Sequence, residues 1–133
     1  MVFAPDGTRA SGVNISPSGQ VLTALHNLES ARVGNVRVQF RDGRVYEGKI
    51  EQITREDNLA TIALVGKGCG SLPAARIASA EPRRGELLAA IGSPRGSGAP
   101  YWVSLGKVRG YAGNQVAYDA WTYWGKGGST LLN

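Results

Sequence analysis

"ASGVNISPSGQVLTALHNL" (residues 10–28) decides how the rest of the chain is read. Val13 and Ile15 alternate with polar residues, "SPSG" turns, and "QVLTAL" resumes the extended pattern. That is a strand, a turn and a strand, and it runs directly into His26, the one histidine of the chain. Downstream, "NVRVQFRDGRVYEGKIEQI" (35–53) repeats the scheme more sharply. Val36, Val38 and Phe40 alternate, "RDGR" supplies an Asp-Gly turn, and Val45 opens the return strand. "NLATIALV" (58–65) is a continuous apolar run that suits a buried strand.

"GKGCGSLPAARIASAEPRRG" (66–85) breaks the rhythm. It is rich in Gly and Pro, lacks a steady period, and reads as a connector; a short helical turn at "AARIASAEP" is the one helical candidate. Strand patterns return in "ELLAAIGSPRG" (86–96), a strand and a turn, in "PYWVSLGKVRGYAG" (100–113), which is expected to run on past Gly106, and in "QVAYDAWTYWG" (115–125), a strand leading into a loop. About eight short strands at regular spacing predict an all-β barrel or sandwich.

Composition narrows the options. A chain of 133 residues, 42% of them hydrophobic, is one globular domain in size. No apolar run approaches a membrane span. "MVFAPDGTRA" has neither the basic nor the apolar region of a signal peptide, so the compartment stays open. One cysteine, Cys69, and one histidine cannot supply the four ligands of a zinc site, and no metal or other cofactor is expected. The net charge of +5 admits nucleic acid as a partner. The cations are scattered, however, with no run longer than Arg83-Arg84, which favours a plain solvated surface.

The order of these motifs resembles the trypsin-like serine proteases, and most closely the HtrA-type branch. "GQVLTALHNL" is similar to the strand that carries that family's histidine. "NLATIALV" is similar to the strand that begins with its aspartate. "RGELLAAIGSPRGSG" and "VSLGKVRG" resemble the following strands, and "YDAWTYWGKGGSTLLN" (118–133) resembles the segment of the serine. The resemblance covers residues 10–133 nearly without gaps. It implies a chymotrypsin-like two-β-barrel fold: a first barrel over 1–66, a connector over 67–84, and a second barrel over 85–133, incomplete at the C-terminus.

The implied chemistry needs a serine nucleophile, a histidine base, a carboxylate that fixes the histidine tautomer, and backbone N–H groups for the oxyanion. His26 falls on the base. A gapless match puts Asn58 on the acid, with Asp57 one residue earlier; in a strand that step points to the opposite face unless a bulge re-aims it. The same match puts Gly127 on the nucleophile, and Gly128 and Ser129 on the two glycines after it. A loop slid by two residues would instead offer Ser129 as nucleophile. The oxyanion glycines would be Gly125, Gly127 and Gly128. Trp124 replaces a proline before them, and Trp121 and Trp124 are candidates for filling a pocket or facing a partner.

The resembled family continues past the position of Asn133, so an open barrel edge is expected, covered by a second polypeptide or a symmetric copy. Three functions compete. One is a protease fold with lost or feeble catalysis, kept for protein binding or assembly. Another is an active serine endopeptidase that uses Ser129. The last is a basic structural or virion-associated module.

Overall fold

The structure is a computed structural model and describes residues 1–28, 35–92, 101–121 and the backbone of 130–132. Among these, the strands in chain order are β1 (Val2–Phe3), β2 (Arg9–Ala10), β3 (Gly12–Ser16), β4 (Gln20–Ala24), β5 (Val36–Gln39), β6 (Val45–Thr54), β7 (Leu59–Val65), β8 (Leu87–Gly92), β9 (Trp102–Ala112), β10 (Gln115–Tyr118) and β11 (Thr130–Leu132). A 3₁₀ turn, Leu25–Asn27, follows β4.

The first seven strands form one antiparallel sheet in the order β2-β1-β5-β6-β7-β4-β3. Its two end strands, β2 and β3, are joined by one residue, Ser11. A chain can step from one edge of a sheet to the other through one residue only if the sheet has curled until its edges meet. The seven strands are therefore a barrel. Contact across the seam agrees: a Cβ on Gly12 of β3 would stand 2.9 Å from Val2 Cγ2 of β1. Val2, Val21, Val36 and Ile62 fill the interior and are buried almost completely. Each such side chain contributes about 2 kcal/mol of transfer free energy.

The β5–β6 hairpin turns where its Asp-Gly pair directs. Phe40 N–H donates to Arg44 O at 2.9 Å, and Gly43 takes φ +88, a left-handed conformation cheap only for glycine. Asp42 fastens the turn, accepting from Arg44 N–H at 3.0 Å and from its guanidinium. These two bonds, in that order of weight, hold the Asp42 carboxyl below the usual carboxylate range.

The connector is extended along β3, without the helical turn at 74–82. Ala75 N–H donates to Asn14 O at 2.8 Å, and Asn14 Nδ2 donates to Pro73 O at 2.8 Å. Leu72 reaches the barrel core. Two prolines, Pro73 and Pro82, bias their preceding residues to extended geometry, and the β3 edge satisfies the backbone.

The second sheet has the order β10-β9-β8-β11. One face carries Leu88, Ala90 and Val108, packed with Ala120, Val116 and Tyr118. The register Ala89↔Leu105 and Ile91↔Val103 sets an apolar row on the other face. There Leu105 is 75% exposed and Leu87 67% exposed. β9 runs through Gly106, as the pattern predicts, and β10 stops at Tyr118, where the strand read at 115–125 passes into its loop. Its register slips at Ala117/Tyr118, and Asp119 holds β9 by both backbone and side chain, its N–H donating to Lys107 O at 3.2 Å and its Oδ1 accepting from Lys107 N–H.

Candidate active site

Two local features bring His26 to the surface. β4 and β7 pair with Ala24 opposite Leu59, so the ends of both strands lie side by side. The 3₁₀ turn then buries Leu25 and Leu28 and leaves His26 exposed between them. Facing it, β6 and β7 are joined by the tight turn 55–58, closed by Asn58 N–H donating to Arg55 O at 3.2 Å. Asn58 ends that turn at φ +54, in the left-handed region that Asn and Asp enter more readily than other side chains. Leu25 N–H donates to Asn58 O at 2.9 Å and ties the two turns together.

The side chain of Asn58 makes two bonds to His26. Its Oδ1 accepts from the His26 backbone N–H at 2.9 Å, and its Nδ2 lies 2.7 Å from His26 Nδ1. The first bond settles the second. A backbone N–H can only donate, so the amide oxygen must face it and the NH₂ must face the ring. An NH₂ group only donates, so Nδ1 accepts. The neutral ring therefore carries its proton on Nε2. A general base for a serine hydroxyl needs the reverse, a lone pair on Nε2.

Asn58, not Asp57, is thus the residue that meets His26. Asp57 is exposed in the turn, and the side-chain bonds to His26 come from its neighbour. Gly125, Gly127, Gly128, Ser129 and Trp124 lie outside the described residues. The segment before them is firmly held. Asp119 accepts from Lys107 N–H and from Arg109 Nε, each at 2.6 Å, and Ser104 Oγ donates to Trp121 O at 2.6 Å. Beyond, β11 pairs with β8 through Thr130↔Ile91. Trp121 is 69% exposed, so it is not packed into a core. Among the described aromatic residues of the last third, Tyr118 packs on the second core, whereas Trp102 and Tyr111 are more than two-fifths exposed. Among the described residues, no three His, Cys, Asp or Glu side chains gather as metal ligands.

The trypsin-like peptidase domain family matches residues 10–133. This chain belongs to that family. Trypsin-like relatives include the putative serine protease HhoB of Synechocystis sp., 31% identical over an alignment of 134 residues that covers 92% of this chain and 31% of that protein. Serine protease HTRA3 of Mus musculus is 34% identical over 89 residues, covering 63% of this chain and 19% of that protein. Among solved structures, the serine endoprotease from Yersinia pestis superposes with a TM-score of 0.83 at 25% identity, over 99% of this chain and 48% of that one. The chain thus spans about a third or less of these curated relatives. The fold is chymotrypsin-like, all-β, and of the HtrA branch.

Residue-pattern reasoning did not find the Asp119 anchor. An aspartate one residue past a strand that is followed by a small residue, Ala120, is a weak signal for such a side-chain-to-backbone bond.

Proposed function

We propose that this trypsin-like domain has lost most or all of its hydrolytic power and serves in peptide or protein binding. The observation that carries this reading is the Asn58 amide donating to His26 Nδ1, which leaves the ring a donor where catalysis needs an acceptor. The placement of Gly127 on the nucleophile position by gapless alignment of 118–133 adds to it.

Two measurements test it together. In ¹⁵N NMR the neutral imidazole is expected with its proton on Nε2. Incubation with a fluorophosphonate probe is expected to leave the folded protein unlabelled by mass spectrometry. Labelling at Ser129 that disappears in both Ser129→Ala and His26→Ala would replace this reading with that of an active endopeptidase using a displaced nucleophile.

The binding half of the proposal is supported by the apolar row Leu87, Val103 and Leu105, each more than half exposed on the outer face of the second sheet. Patches of this kind mark protein contacts. We take the partner to be a polypeptide, a second copy included. Sedimentation equilibrium is expected to give a mass above the 14.0 kDa of one chain, reduced by Leu105→Lys. A monomer at every concentration would eliminate the second copy as the partner.

A further inference from the structure

A cavity of about 410 Å³ lies where the barrel, the connector and the start of β9 meet. Val21, Val38 and Phe40 line its barrel side, and Ile91 and Tyr101 its second-sheet side. That volume is within the range of small-molecule sites. The walls are mainly apolar, yet Arg41, an exposed residue of the β5–β6 turn, is also part of the lining. Arg41 has no local carboxylate to neutralise it. The adjacent Asp42 is committed to Arg44, with Nε and Oδ2 2.7 Å apart. Among the described residues, no ion pair includes Arg41. A guanidinium with no carboxylate partner beside apolar walls is a site of stated chemistry: it takes one carboxylate in a fork of parallel hydrogen bonds while the walls take hydrocarbon. The α-ammonium of Met1 also lines the cavity, but it is largely buried and donates to Gln39 O at 2.7 Å, which leaves Arg41 as the exposed cation. One exposed guanidinium matches a monocarboxylate better than a multiply charged phosphate, and the net charge of +5 favours an anion in general.

We propose that this cavity binds a small amphipathic carboxylate, its apolar body against Val21, Val38 and Phe40 and its carboxylate on Arg41. The site is separate from His26 and does not depend on whether the domain cleaves peptides.

The test uses the full chain, with sodium decanoate and 1-decanol as probes, followed through the methyl resonances of Val21, Val38 and Ile91. Decanoate is expected to shift these methyls along a saturable curve. Decanol is expected to bind about tenfold more weakly, the size of one charge-assisted hydrogen-bond contribution. Arg41→Gln is expected to weaken decanoate by a similar factor and to leave decanol unchanged. Ala74→Trp, at an exposed lining position clear of the core, is expected to block both probes. The proposal is overturned by unshifted methyls at decanoate concentrations below its self-association, by equal affinity for the acid and the alcohol, or by decanoate binding that survives either Arg41→Gln or Ala74→Trp undiminished.

Discussion

A Gly127→Ser chain is expected to hydrolyse peptide substrates barely above background, and adding Asn58→Asp to it is expected to raise kcat by about 10⁴. The reason lies in who donates to whom. Asn58 accepts the His26 backbone N–H with Oδ1 and donates to Nδ1 with Nδ2. An aspartate of the same shape would accept both, from the backbone N–H and from Nδ1–H. The ring proton would move to Nδ1, and Nε2 would gain the lone pair that a serine proton needs. The turn itself need not change, since aspartate tolerates the left-handed φ of +54 about as well as asparagine. Both variants are to be compared in a fluorogenic peptide assay at pH 8, with His26→Ala in the double variant as the control. A gain under tenfold would break the link between residue 58 and the tautomer. Activity that persists without His26 would show that the hydrolysis is not of this kind.

Gly106→Ala is the substitution expected to cost the most stability, about 3 kcal/mol. A Cβ there would stand 2.7 Å from both Ala120 Cα and Asp119 Oδ1, and closer still to the Ala120 backbone nitrogen. Backbone atoms cannot rotate away as a side-chain tip can, so residues 119–121 would have to lift off β9. A loss of that size lowers the melting temperature of a domain this long by about 10 °C. Calorimetry reads it directly, and a shift of under 3 °C would show that the segment yields cheaply. Asp119→Asn separates the clash from the anchor. The Lys107 N–H, and then the Arg109 side chain, hold the Asp119 carboxyl below the usual carboxylate range. A depressed folded pKa stabilises the fold above the unfolded value, about 4, and that contribution is lost as pH falls through the folded value. Melting temperature followed downward from pH 5 is therefore expected to fall less steeply in Asp119→Asn than in the parent. Parallel curves would remove Asp119 from the acid response.

Much of the barrel is legible from residues alone because its rules are local. Alternation in 36–40 and an Asp-Gly turn specify strands whose burial repeats every second residue, and the apolar run 58–65 specifies another; all are present, although β7 buries one face and leaves its end residues Leu59 and Val65 exposed. What escapes is whatever depends on distant contacts. The ribbon β1–β2 has no strong pattern; it exists because Val2 pairs with both Ala10 and Val38. The 74–82 stretch has helix-compatible residues, but β3 offers its backbone better partners. The site divides in the same way. His26 stands out by its motif and the gapless match already sets Asn58 opposite it, whereas the left-handed turn end that aims the Asn58 side chain at the ring, and so excludes Asp57, is not legible in the residue order.

That left-handed residue also restricts what heredity can do with the position. At a φ of +54, most side chains strain the backbone, so substitution at 58 is confined largely to Asn, Asp and Gly. Asparagine and aspartate codons differ by a single purine transition. A lineage that relaxed selection on an acid at this position would therefore drift first to the residue found here. It would keep the turn, the barrel and the orientation of the histidine while it did so. The same narrow path leads back, so the protonation pattern of His26 is among the most easily reversed characters of this domain.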